Sequence, residues 1–267
     1  MTNSQKIIKY FAIAFAIFLI YTISSAIITS AGIIIKSFDK KPNEEISELK
    51  EIYSSYKINS LDIDLHATNL IIKNDEKVSI QTNNNYIKVK EELGVLKIEE
   101  EDNISTKPKD LIVYIPSSML DEIDIETGAG TIYADALNAR SLDLNLGAGT
   151  VTLLSFNSDN ASIDGGTGKF EIRGGRINNL DFDAGIGEVY IKSKLVGNNK
   201  IDTGVGKVTL DLIGKDYKVS VEKGVGTVLV DNKKIVDNEI FGNGKTSVLI
   251  SGGVGEIVVN YVTDENE

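Results

Sequence analysis

The sequence has no cysteine, no tryptophan, three prolines and one histidine. Without cysteine there is no disulfide framework, no thiolate zinc site and no cysteine nucleophile. The histidine, His66, sits in "DLHATNL" with no recognisable nucleophile beside it, and reads as a strand or turn residue. Positive charge is also short: 28 Lys and Arg stand against 39 Asp and Glu, for a net charge of −11. A nucleic-acid binder needs a basic face to neutralise phosphates, so that class is excluded.

What is present begins with an apolar run. After Lys6 and Lys9, residues 10–35 carry no charge. As a helix, 26 residues would reach ~39 Å, enough to cross a hydrocarbon core of ~30 Å with tilt. The reading is an uncleaved transmembrane anchor over 10–35 behind a short basic tail, 1–9. The alternative is a cleaved signal peptide with its small-residue site at Ser24-Ser25-Ala26, which would release a secreted domain. Lys6 and Lys9 are balanced by Lys36, Lys40 and Lys41, so the charges alone leave orientation near a tie. The basic tail still resembles an export signal, which places residues from 37 onward outside the cytoplasm.

Residues 36–58 are polar and read as a stalk. From Leu61 helical periodicity gives way to apolar alternation, the pattern of short half-buried strands. From about residue 121 the pattern repeats. Gly-x-Gly recurs at Gly128 and Gly130, Gly147 and Gly149, Gly166 and Gly168, Gly185 and Gly187, Gly204 and Gly206, Gly224 and Gly226, and Gly253 and Gly255. The first five pairs are 19 residues apart, and the last two gaps are 20 and 29. A fixed period near 20 with two strands per unit is the mark of a solenoid. The longest gap contains residues 231–247 and reads as a loop inserted into the last unit.

Side-chain parity describes one unit. Leu142, Leu144, Leu146 and Ala148 share one face, and Val151 and Leu153 share the face of the opposite parity. The residue between the glycines is therefore expected to point inward, with the next two pointing outward at a corner. Glycine suits such a corner because it lacks the Cβ that would crowd the neighbouring coil ~4.8 Å away. All fourteen glycines are expected to serve this one structural role.

The glycine pairs imitate ligand loops without satisfying them. In "TGVGKVTLDL" Lys207 is followed by Val208, and "GNGKTS" (242–247) has Glu239 where the phosphate loop needs its first glycine. The dinucleotide fingerprint fails at Thr209. The calcium nonapeptide fails because the period is 19 and no aspartate follows at the required place. No nucleotide and no cofactor is expected.

One outward column stands out, two residues before each first glycine: Glu126, Asn145, Asp164, Asp183, Asp202, Glu222 and Ser251. Asp164, Asp183, Asp202 and Glu222 would then be four carboxylates on consecutive coils. At ~4.8 Å in water each neighbouring pair repels by ~0.9 kcal/mol before screening, which a large domain tolerates. The leading reading is a solvated face that discourages lateral pairing. The functional reading is a stripe for a divalent cation or a basic ligand. Asp164 and Asp183 could serve as an acid/base pair, but stacked repeats generate such pairs by default, and no enzyme is expected.

"LDIDLHATNLIIK" (61–73), "GVLKIEEEDN" (94–103) and "LIVYIPSSMLDEIDIETGAGTIYADAL" (111–137), followed by the glycine repeats, resemble a bacterial family of unknown function, the putative adhesins with β-strand repeats. The resemblance covers about residues 58–262 and brings no catalytic residues. It implies an envelope-associated β-solenoid, and for some relatives a link to envelope-stress regulation. The sequence thus predicts an all-β, single-domain parallel β-solenoid over 59–262, behind a transmembrane helix and ahead of an acidic tail (263–267). Its expected role is an adhesion module engaging an envelope polymer or a membrane protein. The alternative is a regulatory component of an envelope-stress response. Tyr133, Tyr190 and residues 231–247 are the other outward candidates.

Overall fold

The computed structural model describes residues 48–101, 109–235 and 239–263. The basic tail, the predicted anchor, residues 36–47 of the linker and residues 264–267 lie outside them. Among the described residues all regular structure is strand, and no helix is long and apolar enough to cross a membrane. The strands are β1 (Lys50–Ser55), β2 (Ser60–Leu65), β3 (Asn69–Asn74), β4 (Val78–Thr82), β5 (Ile87–Glu92), β6 (Val95–Glu100) and β7 (Asp110–Ile115). They continue as β8 (Leu120–Ile172), β9 (Arg176–Asn178), β10 (Leu180–Val196), β11 (Asn198–Ile213), β12 (Tyr217–Val230), β13 (Lys233–Lys234), β14 (Ile240–Phe241) and β15 (Thr246–Val262). All fifteen belong to one open sheet. Residues 50–55, read from sequence as part of a stalk, are instead a strand paired antiparallel to β4.

The long strands are rungs that bend at corners while keeping register. Phe182 faces Ile163 on one side and Ile201 on the other, a step of 19 residues each way. Inward residues from every arm join one hydrophobic cluster, with Leu144, Leu153, Phe156 and Phe182 fully buried. Four successive rungs have a third, short arm that two-strand counting misses. Leu137 and Ala139, Phe156 and Ser158, Ile177, and Leu195 point inward between the second arm of one rung and the first arm of the next.

The corner glycines form two columns. A Cβ on Gly187 would lie 1.7 Å from the carbonyl oxygen of Gly168, and one on Gly166 2.4 Å from that of Gly147. Gly187 also has φ +150, a conformation that L side chains rarely adopt. In the column of first glycines the expected crowding begins at Gly128, whose Cβ would lie 2.8 Å from the His66 carbonyl oxygen; in the column of second glycines it begins at Gly149, 1.9 Å from the Gly130 carbonyl oxygen. Gly130 departs from the expectation. Its Cβ would meet nothing nearer than the Thr68 carbonyl oxygen, at an ordinary 3.5 Å, because the rung beneath it turns at residues 66–68 without a glycine pair. Glycine is needed at Gly130 for its φ of +141, not for lack of room.

The inter-glycine residue does not point inward. Ala129 and Ala148 are exposed, Thr167, Ile186 and Val205 half-buried, and Val254 and Val225 are 43% and 73% exposed. Burial resumes only after the corner, at Ile132, Val151, Phe170 and Val189. The parity count assumed one inward residue inside the turn, whereas the whole Gly-x-Gly-x segment faces out.

Rung order departs from chain order at both ends. β11 pairs with β15, and β15 with β12, so the seventh repeat is inserted between the fifth and the sixth. The expected insertion, 231–247, contains β13 and β14, and residues 236–238 of it lie outside the described residues. These two strands pair antiparallel with the outer edge of β12 and cap part of it. At the other end β2 and β3 lie against β8, with β6 and β7 stacked outside them. There β5, β4 and β1 supply the antiparallel caps.

Asparagines tie the rungs together at the third arm. Asn157 Nδ2 donates to Asn138 Oδ1 at 2.8 Å, and Asn157 Oδ1 accepts from the Arg176 amide at 2.9 Å. Asn179 Nδ2 donates to Asn160, and the Asn198 amide donates to Asn179 Oδ1.

Candidate functional site

The outward side of the first arm carries the predicted acidic column. Asp164, Asp183 and Asp202 stand in direct register, as expected. Glu222 does not continue the run, because Ser251 lies between it and Asp202. The inserted rung thus replaces one carboxylate contact with a neutral one, and Lys200 pairs with Asp202. At the other end neutral Asn145 interrupts the column, which resumes with Glu126 and its register partner Asp64.

A second acidic column, missed in the sequence, runs beside it. Asp62 faces Asp124, and Asp143 lies one period further on. Burial, then the charges of Asp143, Asp62, Glu122 and Glu126, push the Asp124 carboxyl above the ordinary range. Lys97 partly offsets this end, reaching Asp62 at 3.6 Å and Glu99 at 2.9 Å. The signal was available, since Asp62, Asp124 and Asp143 each precede a member of the first column by two residues. Among the described residues no group of three acidic or histidine side chains converges to hold a metal ion. The arrangement is a ladder of negative charge, suited to an extended basic surface.

The second arm presents the two tyrosines, which are not adjacent: Thr152 and Glu171 occupy the intervening rungs. Tyr190 donates to Asp211 Oδ2 at 2.8 Å. Burial, then that acceptor and its charge, raise its pKa to about 12. Asn260 holds the other Asp211 oxygen at 2.8 Å, and Arg173 pairs with Glu171 at 2.8 Å. Lys207, the lysine of the phosphate-loop imitation, faces water and bridges to Glu256 on the next rung at 2.8 Å.

The least anticipated site is at "HAT", residues 66–68, where the corner has no glycines. The amides of His66, Ala67 and Thr68 donate to Glu100 Oε2 at 2.9, 3.1 and 3.2 Å. Thr68 Oγ1 and Asn84 Nδ2 each donate to Oε1 at 2.7 Å. Burial alone would raise the Glu100 carboxyl; the Thr68 hydroxyl and the three amides outweigh it and hold the group below the usual range. The opposite side of this corner takes the next rung, where the Ala129 amide, between Gly128 and Gly130, donates to the His66 carbonyl. Glu100 therefore terminates the column of corner amides.

Residues 63–251 match the family described as "Putative auto-transporter adhesin, head GIN domain". The chain belongs to the head GIN domain family. The matched span runs from β2 into β15, so this GIN domain includes the first acidic column, the second but for Asp62, the Glu100 cradle and all but the last glycine corner. Solved structures similar to it include a putative cell adhesion protein from Clostridium sporogenes, 19% identical, covering 80% of this chain and 100% of that one, TM-score 0.36. Putative adhesins from Bacteroides fragilis and Parabacteroides distasonis are 15% and 14% identical. The first covers 79% of this chain and 97% of its own, with TM-score 0.40; the second covers 81% and 98%, with TM-score 0.39. No curated protein sequence matches this GIN domain.

Proposed function

We propose that this GIN-domain chain is a membrane-tethered, extracytoplasmic β-solenoid that acts as an adhesion module without catalysis. Residues 10–35 hold it in the bilayer, and the outward faces of stacked coils engage an envelope polymer or a membrane-protein partner. The observation that carries this reading is the register of the first-arm face, where aligned acidic side chains recur from Asp64 to Glu222 along one edge. A surface that repeats at strand spacing offers several weak, similar contacts, which suits an extended ligand through avidity better than a small molecule. The family description, an adhesin head, supports the same reading.

The test is to display the full chain on a bacterial strain that does not adhere and to count cells retained on envelope-polymer and host-matrix surfaces. Retention that falls when Asp164, Asp183 and Asp202 are changed together to Asn supports the proposal. Unchanged retention on all surfaces, with deletion altering only the envelope-stress response, overturns it in favour of a regulatory role. Protease added to intact cells should cleave the domain, and protection from it would refute the extracytoplasmic placement.

A further inference from the structure

The strands β5 and β6 are joined by a two-residue turn, Leu93-Gly94, with φ +52 and +82. Such a turn favours Asn, Asp or Gly at its first position, and leucine there is conformationally disfavoured. Leu93 is also 101% exposed, so it gains nothing from burial within the domain. A residue that costs the fold on both counts is explained by a contact outside it.

Leu93 is not isolated. The Asn59 amide donates to the Gly94 carbonyl, and the Asn59 carbonyl accepts from Asp121. Around Asn59 stand Tyr56, 80% exposed, and Met119, 47% exposed, on a groove of about 410 Å³ that Lys57, Pro116 and Ser118 also line. Val95, next to the turn, is 39% exposed. Lys77 lies 5.1 Å from the Tyr56 ring centroid, the aromatic-with-cation combination found at lipid headgroups. Two carboxylates beside this surface are neutralised, Glu92 by Lys90 and Asp121 by Arg140, and Glu91 accepts from the Tyr53 hydroxyl.

The position along the chain names the occupant. This corner is at the end of the ladder where β1 is the edge strand, and Tyr56 follows β1 directly. Fourteen residues, 36–49, separate the apolar run from β1, a reach of at most ~50 Å. The opposite end, at β13, is about nine rungs away, roughly 40 Å at strand spacing. Bringing that end to the bilayer would need the linker stretched almost straight, whereas a flexible linker of this length spans ~20 Å on average. We infer that the Leu93–Tyr56–Met119 corner seats on the surface of the bilayer that holds residues 10–35, standing the ladder end-on to the membrane. This inference rests on the tether proposed above.

The chain lacks cysteine, so a single probe can be placed cleanly in the full-length protein. Ser118→Cys and, separately, Lys234→Cys are labelled with an environment-sensitive fluorophore and reconstituted in phosphatidylcholine–phosphatidylglycerol vesicles. Brominated lipids should quench the probe at 118 and leave the probe at 234 unquenched. Adding Leu93→Asn and Met119→Ser should abolish quenching at 118, while Leu93→Asn alone leaves thermal stability equal or higher, because Asn suits the turn. Vesicle-bound protein with no quenching at 118, or with equal quenching at both positions, overturns the inference and leaves the tether standing. Protein that does not float with the vesicles overturns both.

Discussion

Replacing Glu100 with Gln tests the corner cradle. The carboxylate accepts five hydrogen bonds, three from consecutive amides at 2.9–3.2 Å and two from side chains at 2.7 Å. Glutamine keeps the shape but offers one acceptor oxygen, so its NH2 must face either the amides or Thr68 and Asn84. Hydrogen bonds to a charged group contribute about 1.5–3 kcal/mol each, and partial exposure of the site discounts them. A net loss of about 2–4 kcal/mol follows, or roughly 5–15 °C in Tm for a domain of this size. The pH dependence gives the sharper test. The folded-state pKa of Glu100 lies below the ordinary 4.5. Its contribution is therefore complete above about pH 4.5 and is lost as pH falls through the folded value. Thermal unfolding followed by circular dichroism should show a wide gap between wild type and Glu100→Gln at neutral pH, closing in acid. A gap that is absent at neutral pH, or equally wide in acid, refutes the assignment.

Rung order is testable by engineered disulfides. Asp202→Cys with Ser251→Cys should oxidise readily, because those residues are register partners at strand spacing. Asp202→Cys with Glu222→Cys, two rungs apart, should remain reduced; the opposite result would restore simple chain order. Tyr190, with its pKa raised to about 12, adds stability below pH ~10 that is lost as pH rises through the folded value. Tyr217 is also pushed up to about 12 by burial, so ultraviolet titration of Tyr190→Phe should show one late-ionising tyrosine fewer than the wild type, and identical curves would contradict the Asp211 contact. Asn157→Ala removes a donor to Asn138 and an acceptor for the Arg176 amide. A loss of about 1–3 kcal/mol in denaturant unfolding is expected, and no change would show that the ladder is dispensable.

The repeat was legible in the sequence because each corner calls for glycine twice, and between stacked pairs a Cβ has no room. Gly130 kept the pattern for a different reason, its backbone conformation, and spacing alone could not separate it from Gly149. The direction of the corner was not legible, because counting parity through Gly-x-Gly treats a turn as though the strand continued. The third arm escaped for lack of length: Leu137 with Ala139, or Phe156 with Ser158, is too short a run to show alternation. Rung order was hidden because the sixth and seventh repeats look alike, and a gap of 29 residues resembles an insertion whether or not the chain doubles back. The carboxylates Asp164, Asp183 and Asp202 were found by register alone. Glu100, in the run "IEEED", reads as a solvated charge until the fold brings residues 66–68 to it. Asn138 and Asn157, and Asn160, Asn179 and Asn198, did carry a signal, the same 19-residue spacing as the glycines.

The account depends most on the claim that the glycine pairs exist to let rungs stack and do not bind a ligand. Gly187→Ala tests it most directly, since the added Cβ would lie 1.7 Å from the Gly168 carbonyl oxygen at a φ of +150. The overlap is with backbone, so relief requires separating two rungs, and a loss above ~4 kcal/mol is expected. Thermal unfolding should show a collapse of Tm or failure to fold, while Val205→Ala, between the next pair of glycines, changes little. A Gly187→Ala protein with wild-type Tm would contradict the stacking account.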